Sequence, residues 1–196
     1  MSYWRIQVAF GPDGYSPWDA LWYDGDDRDL EPLCSQMRLA PVWRPLQVRL
    51  ERREKRPDIF GFQLFFAVKE KVRTLLSQIE DVEFLPVRAS RKTVLYVIHP
   101  LARINLDYAS SCDPEELSDN ITKVAQWVFP YEVRESGVDV FQAYQAPGSA
   151  ARDAGYPLYE VFISERVKQQ LEDEKTSGIA FLPVSFSPPK RMKRRR

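Results

Sequence analysis

Hydrophobic residues recur at helical spacing in a first stretch of the chain. They are Val68, Val72, Leu75, Leu76 and Ile79. Lysine, glutamate and arginine residues take the opposite face, which is the pattern of an amphipathic helix on a protein surface. The pattern predicts a helix near residues 67–79. The stretch VEFLPVRA follows at 82–89 and predicts a strand, because β-branched and aromatic residues dominate it.

A second stretch repeats this arrangement. Apolar residues recur every four positions, at Ile163, Val167 and Leu171. Ser164 stands where an N-cap belongs, and Gly178 is placed to end the helix. The pattern predicts a helix near residues 164–176, followed by a strand at 179–186. The word FLPV occurs at 84–87 and again at 181–184, so we predict two related strand–helix–strand units.

The remaining strong patterns predict strands. Aromatic and β-branched residues fill 3–10 and VLYVI within 92–109, while 45–52 and 138–145 also have strand character. Strands dominate and helices are few, which predicts an α+β fold with a mainly antiparallel sheet. We expect N-terminal strands and an acidic–aromatic loop in residues 1–59, packed on an α+β domain in 60–186. A disordered basic tail is expected at 187–196.

Charge is distributed unevenly along the chain. Lys and Arg together number 28, as do Asp and Glu, but six of the basic residues lie in the last seven residues, KRMKRRR. The rest of the chain is therefore acidic, which argues against a nucleic-acid-binding domain. No run of eighteen apolar residues predicts a membrane span, and the start of the chain lacks the pattern of a signal peptide. We expect a cytoplasmic protein.

Few residues offer catalytic or metal-binding chemistry. His99 is the single histidine, which excludes motifs that need a histidine pair, and Cys34 and Cys112 fit no metal or redox spacing. We expect His99 to be structural or at the surface. The glycines form no phosphate-binding loop, and we predict no cofactor, no metal and no enzymatic activity. Paired carboxylates need no linear motif, so a small carboxylate-dependent enzyme with a cleft between the two units is an alternative.

An acidic–aromatic segment is the strongest candidate for a binding site. Its candidate residues are Trp22, Tyr23, Asp24, Asp26, Asp27 and Asp29. Clustered carboxylates accelerate encounter with a basic partner, and tryptophan and tyrosine are favoured anchors at interfaces. A solvated acidic loop is the other interpretation. The spacing of the aspartates does not match a calcium loop. The glycine and aspartates predict little regular structure here.

The C-terminal unit carries a resemblance to a known family. The stretch VFISERVKQQLEDEKTSGIAFLPV (161–184) resembles the C-terminal signature of the immunity protein 11 family. The earlier block at 65–88 and the strand containing RINLD (103–107) resemble that family too, so the likeness covers roughly residues 60–186. The first copy departs from the signature, because Lys69 stands where the second copy has Ser164.

The resemblance implies a bacterial protein that neutralises a cognate toxin. Members of such families are encoded beside polymorphic toxins or effectors of type VI secretion, which act in interbacterial competition. The implied function is to bind the toxin and occlude its active or substrate-binding site, and no catalytic residues are implied. The implied partner is the toxin, and the sequence gives no indication of a homo-oligomer. An adaptor that docks through the basic tail is a further alternative.

Overall fold

The computed structural model describes residues 1–9, 21–50, 56–63, 65–111, 126–144 and 157–189. The strands are β1 (Tyr3–Val8), β2 (Leu21–Trp22), β3 (Leu46–Gln47), β4 (Arg49–Leu50), β5 (Ile59–Phe62), β6 (Phe65–Val68), β7 (Val82–Arg88), β8 (Val94–Pro100), β9 (Ala102–Asn105), β10 (Val128–Phe129), β11 (Val140–Tyr144), β12 (Pro157–Ser164), β13 (Ile179–Pro183) and β14 (Ser185–Phe186). The α-helices are α1 (Glu70–Leu75), α2 (Tyr108–Ser111) and α3 (Glu165–Asp173), and 3₁₀ helices span Asp27–Cys34 and Tyr131–Glu135.

Two five-stranded sheets form the framework. Sheet 1 has the order β3-β7-β8-β6-β5, and sheet 2 has the order β13-β1-β12-β11-β9. Most neighbouring strands are antiparallel, while β3–β7, β9–β11 and β10–β14 are parallel. The predicted α+β fold, dominated by mainly antiparallel sheets, is therefore confirmed. In the described part of the chain, no helix has the length and apolar character needed to cross a membrane.

The first strand–helix–strand unit is β6–α1–β7. Its helix begins at Glu70, later than the hydrophobic pattern predicted, because Val68 belongs to β6. All four residues of β6 are buried, and they pair with β5 on one side and β8 on the other. Sheet pairing thus overrides the helical spacing of Val68, and Lys69 becomes the N-cap residue with an extended backbone.

The second unit is β12–α3–β13. The predicted N-cap is confirmed, since Ser164 Oγ accepts a hydrogen bond from the Val167 amide at 3.4 Å. The predicted role of Gly178 is wrong, because α3 ends at Asp173 and Gly178 instead precedes β13. Gly178 has a φ of +92°, and a Cβ there would overlap the carbonyl oxygen of Ile59. The glycine is required where β5 approaches the start of β13.

The helices and sheets share one central core. The buried residues of this core are Ile6, Ile59, Phe66, Val68, Val72, Leu76, Ile79, Val82, Ile98, Val140, Val161, Ile163, Val167 and Leu171. Both units contribute to it, and α1 contacts α3. A second core lies on the other face of sheet 1, under residues 21–50, and a third lies on the other face of sheet 2.

The N-terminal strand lies inside sheet 2. β1 pairs antiparallel with both β12 and β13, so residues far apart in the sequence form neighbouring strands. The division into 1–59 and 60–186 stays a prediction. The predicted strand at 45–52 is two short strands, because Val48 turns inward between them and its amide bonds the Arg88 carbonyl. The predicted tail lies outside the described residues from position 190 onward, as does Cys112.

Candidate functional site

Residues 21–50 form a covering layer on sheet 1, and the candidate residues belong to it. The layer is fixed by apolar side chains that enter the core under it. These are Leu21, Leu30, Leu33, Leu39 and Val48, each at most 7% exposed. The Trp43 indole also donates a hydrogen bond to the Pro86 carbonyl at 2.9 Å. The exposed residues of the layer are thus carried on a well-anchored support.

A buried histidine tethers the middle of this layer. His99 is 1% exposed, and its Nε2 lies 2.9 Å from the carbonyl oxygen of Ser35. A carbonyl only accepts, so Nε2 carries the hydrogen. Glu83 Oε2 accepts from the Leu39 amide at 2.7 Å and lies 3.4 Å from His99 Nδ1. The histidine has the structural surroundings that the sequence led us to expect.

Trp22 is displayed at the surface by strand pairing. It lies in β2, which pairs with β4 so that Leu21 faces Leu50 and Trp22 faces Arg49. Successive side chains of a strand point to opposite sides. Leu21 is 2% exposed, whereas Trp22 is 43% exposed. The local pairing therefore uses Leu21 as the anchor and leaves much of the indole open to solvent.

The aspartates surround the start of the 3₁₀ helix Asp27–Cys34. Asp26 is its N-cap, and its Oδ1 accepts from the Arg28 amide at 2.9 Å. Asp27 and Asp29 fall in the first turn, where exposed helix amides favour negative charge. The expectation that this segment has little regular structure is wrong, because its aspartates favour a helix start.

Tyr23 and Asp29 form a second contact within the segment. The Tyr23 hydroxyl donates a hydrogen bond to Asp29 Oδ2. This bond, with a smaller contribution from burial and from the neighbouring carboxylates, raises the pKa of Tyr23 from 10.0 to about 12. A Cβ at Gly25 would overlap the Tyr23 ring, so the glycine allows the ring to fold back over the backbone.

The structure brings the six predicted residues together on one short segment. Trp22, Asp24, Asp26, Asp27 and Asp29 are exposed, and Tyr23 is half-buried. Asp24 Oδ1 lies 3.5 Å from Arg49 Nη2, and both side chains are 68% exposed, so solvent weakens that ion pair. The surface offers carboxylate acceptors for guanidinium or ammonium groups, with an aromatic ring beside them.

Two residues of the layer escaped the sequence analysis. Met37 is 73% exposed and Val42 is 74% exposed, which makes them the most exposed large hydrophobic side chains of the described residues. Met37 lies between two polar residues and Val42 follows a proline in SQMRLAPVWRP, so hydrophobic periodicity does not mark them. Met37 lies two residues before Leu39 and Val42 lies beside Trp43, and both of those neighbours pack into the core on sheet 1.

The space between the two units is filled with apolar side chains in the described residues, because the central core occupies it. Within the same residues, no cluster of three or more His, Cys, Asp or Glu side chains has a geometry that could hold a metal ion.

Comparison with models of known protein families finds no match, and neither does comparison with curated protein sequences. The resemblance to the immunity protein 11 family therefore stays a prediction.

Proposed function

We propose that this chain is an immunity protein that binds a cognate bacterial toxin and occludes its active or substrate-binding site. The observation that carries the proposal is the outer surface of residues 21–50. This surface presents Trp22 beside exposed aspartates, on a layer anchored to sheet 1. The resemblance of the C-terminal unit to immunity proteins supports the same function.

The chemistry of this surface favours a partner with a basic patch. Carboxylates at Asp24, Asp26, Asp27 and Asp29 create a negative potential that steers a basic protein during diffusion. Tryptophan then contributes apolar area at little entropic cost. Charge would act mainly on the association rate, and the indole mainly on the dissociation rate. Neutralisation requires no catalysis, because covering the toxin's catalytic cleft excludes its substrate.

Co-expression tests the function directly. The product of the adjacent gene is expressed in a bacterial host alone and together with this chain. The proposal expects growth arrest in the first strain and growth in the second. It fails if the product is harmless alone, or if it arrests growth equally in both strains. Deletion of residues 190–196 should leave the rescue intact, and loss of rescue would favour the adaptor that docks through its tail.

Binding kinetics test the surface. The double variant Asp26→Asn/Asp27→Asn keeps an oxygen acceptor at the N-cap but removes two charges. It should slow association with the toxin at low salt, and the difference should shrink at high salt. The matched control is Glu132→Gln/Glu135→Gln, which removes two exposed charges from another 3₁₀ helix. Equal slowing by both double variants would refute a local role for the acidic segment.

Trp22→Ala tests the apolar part of the surface. If Trp22 is an anchor, its loss should raise the dissociation rate and weaken affinity by about 1–3 kcal/mol. Leu182→Ala is the control, since Leu182 is exposed to a similar extent, at 38%, but lies on sheet 2. A melting curve of each variant separates the two possible roles of the indole. A Trp22→Ala protein that binds normally contradicts the proposed surface.

A further inference from the structure

Each sheet contains the same three-strand arrangement. In sheet 1, the parallel strands β6 and β7 are joined by α1, and β8 lies between them antiparallel to both. In sheet 2, β12 and β13 are joined by α3, and β1 lies between them antiparallel to both. β8, the middle strand of the three in sheet 1, precedes the second unit in the sequence. β1, the middle strand of the three in sheet 2, precedes the first unit.

The register of the two arrangements is the same. In the two FLPV strands, Phe84 pairs with Ile98, and Phe181 pairs with Ile6. Pro86 likewise pairs with Tyr96, and Pro183 pairs with Trp4.

The strands before the helices give the same correspondence independently. Val68 pairs with Tyr96, and Ile163 pairs with Trp4. The strands on both sides therefore give the same result: Trp4 in sheet 2 occupies the position that Tyr96 occupies in sheet 1.

Side-chain contacts repeat at the equivalent positions. The Trp4 indole donates to Glu165 Oε2 at 2.6 Å, and Lys168 Nζ lies 4.5 Å from the centroid of the indole. Glu165 is the first residue of α3, and Lys168 follows one turn later. The aromatic ring of the middle strand thus holds the start of the helix through an acid and a base.

The first unit has an equivalent set of three residues, and we call each set a clamp. Tyr96 is hydrogen-bonded to Glu70, the first residue of α1, and the Arg73 guanidinium lies 5.0 Å from the centroid of the Tyr96 ring. Hydrogen bonds from Arg73, and then from Tyr96, lower the pKa of Glu70 to about 2. Both clamps combine an aromatic donor, a glutamate at the helix start and a cation over the ring.

The first and second halves of the chain also contact each other through the backbone amides of two equivalent aspartates. The Asp58 amide before β5 donates to the Ser177 carbonyl, in the loop before β13, at 3.1 Å. The Asp139 amide before β11 donates to Asp81 Oδ2, in the loop before β7, at 2.9 Å. The carbonyls of these aspartates accept from Lys69 and Ser164 respectively, at the equivalent N-cap positions.

We infer that the chain is a single-chain dimer of one structural unit, in residues 3–88 and 94–186, and that the two copies exchange their first strands. Each copy consists of a first strand, a long insert, a strand pair, a helix and a last strand. The slot between the parallel strands of each sheet is a binding site for the first strand of the other copy. The parallel pairs β3–β7 and β10–β14 extend the correspondence into the inserts.

The two copies have similar side chains on the sheet faces that point into the central core. Their side chains differ on the faces that point away from it. Inward residues such as Ile6 and Ile98 share the central core, so both must fit it. Outward residues face separate inserts and differ between the copies. Val97 is fully buried under the covering layer, whereas its equivalent Arg5 is a partly exposed cation paired with Glu160. The shared core explains why the repeat is visible in the helix and FLPV positions.

A circular permutant tests the exchange. It contains residues 92–186, a copy of the turn at 89–93 and then residues 2–91. If the copies are equivalent, this chain has the same order of elements as the native chain, with the two copies reversed. Its refolding rate should lie within about threefold of that of the linear chain 2–186, because the separation of contacts is unchanged.

A second permutant is the control. It uses the same joined ends but opens at the exposed turn 77–78, which separates α1 from β7 in the sequence. It should refold faster than the first, because β1 then follows β13 in the sequence while β8 still follows β7, so fewer strand contacts are long-range. Equal refolding rates for the two permutants, or failure of the first to fold, would overturn the inference.

Conversion of one clamp into the other tests equivalence in the full chain. The variant Tyr96→Trp/Arg73→Lys gives the first copy the side chains of the second. Its melting temperature should stay within about 5 °C of the unchanged chain, at about 2–4 °C per kcal/mol for a chain of this size. A loss as large as that caused by Tyr96→Ala would show that the two positions are not equivalent.

Discussion

Replacement of Asp139 by alanine should destabilise the junction between β11 and α3. Asp139 Oδ1 accepts a 2.6 Å hydrogen bond from the Ser164 hydroxyl, and its other oxygen accepts from Arg166. Ser164 is fully buried, so loss of its charged acceptor should cost about 1.5–3 kcal/mol. The Arg166 side chain is 54% exposed, and solvent limits its ion pair to about 0–1 kcal/mol.

The expected loss is therefore about 1.5–4 kcal/mol in the free energy of unfolding. It is measured by urea unfolding followed by circular dichroism. Ser164→Ala provides the second arm of a double-mutant cycle. In the Ser164→Ala background, Asp139→Ala should cost only the small contribution of Arg166. Fully additive losses would show that the buried Ser164–Asp139 bond contributes nothing, which would refute the reasoning.

The same loss should depend on pH. Burial favours a raised pKa for Asp139, but hydrogen bonds from Arg166 and Ser164 outweigh it and lower the pKa below 3.8. A carboxylate with a lowered pKa stabilises the folded chain above pH 3.8, and this stabilisation is lost as pH falls toward the folded-state pKa. The difference between the native chain and Asp139→Ala should narrow below pH 3.8. A constant difference from pH 7 to pH 3 would contradict the ionic part of the argument.

Three further predictions follow from single sites. Gly178→Ala should lower the unfolding free energy by about 2–4 kcal/mol, because alanine there would have a positive φ and would overlap the backbone. Gly137→Ala should cost only about 1 kcal/mol, because its φ is +72° but the space around it is open. Thermal melts compare the two variants. Tyr23→Phe should remove a tyrosine that ionises near pH 12 in ultraviolet difference titration, and Asp29→Asn should lower that pKa. Phe162→Leu should cost about 1–3 kcal/mol in urea unfolding, because it removes ring contacts with three aromatic neighbours.

Several features could be predicted because the information is local. The FLPV strands, the two helices and the Ser164 cap each depend on residues within a few positions of one another. The position of the acidic segment at the surface was also accessible, because carboxylates are rarely buried without partners. The same local patterns gave the start of α1 incorrectly, since Val68 fits helical spacing but pairs in a sheet.

Other features depended on which distant surfaces meet. No local pattern indicates that β1 enters sheet 2 between β12 and β13, or that His99 reaches the Ser35 carbonyl. The outward position of Trp22 follows from the burial of Leu21 against sheet 1, and the exposure of Met37 follows from the packing of the layer around it.

The types of element could be read from local sequence, because helix and strand formation follows from spacing and capping over a few residues. The pairing of strands, the ends of the helices and the exposed side chains depend instead on the tertiary structure. Strand pairing depends on burying several apolar faces at once, and that condition joins residues separated by most of the chain. The surface available to a partner is what remains after the shared core and the covering layer are formed.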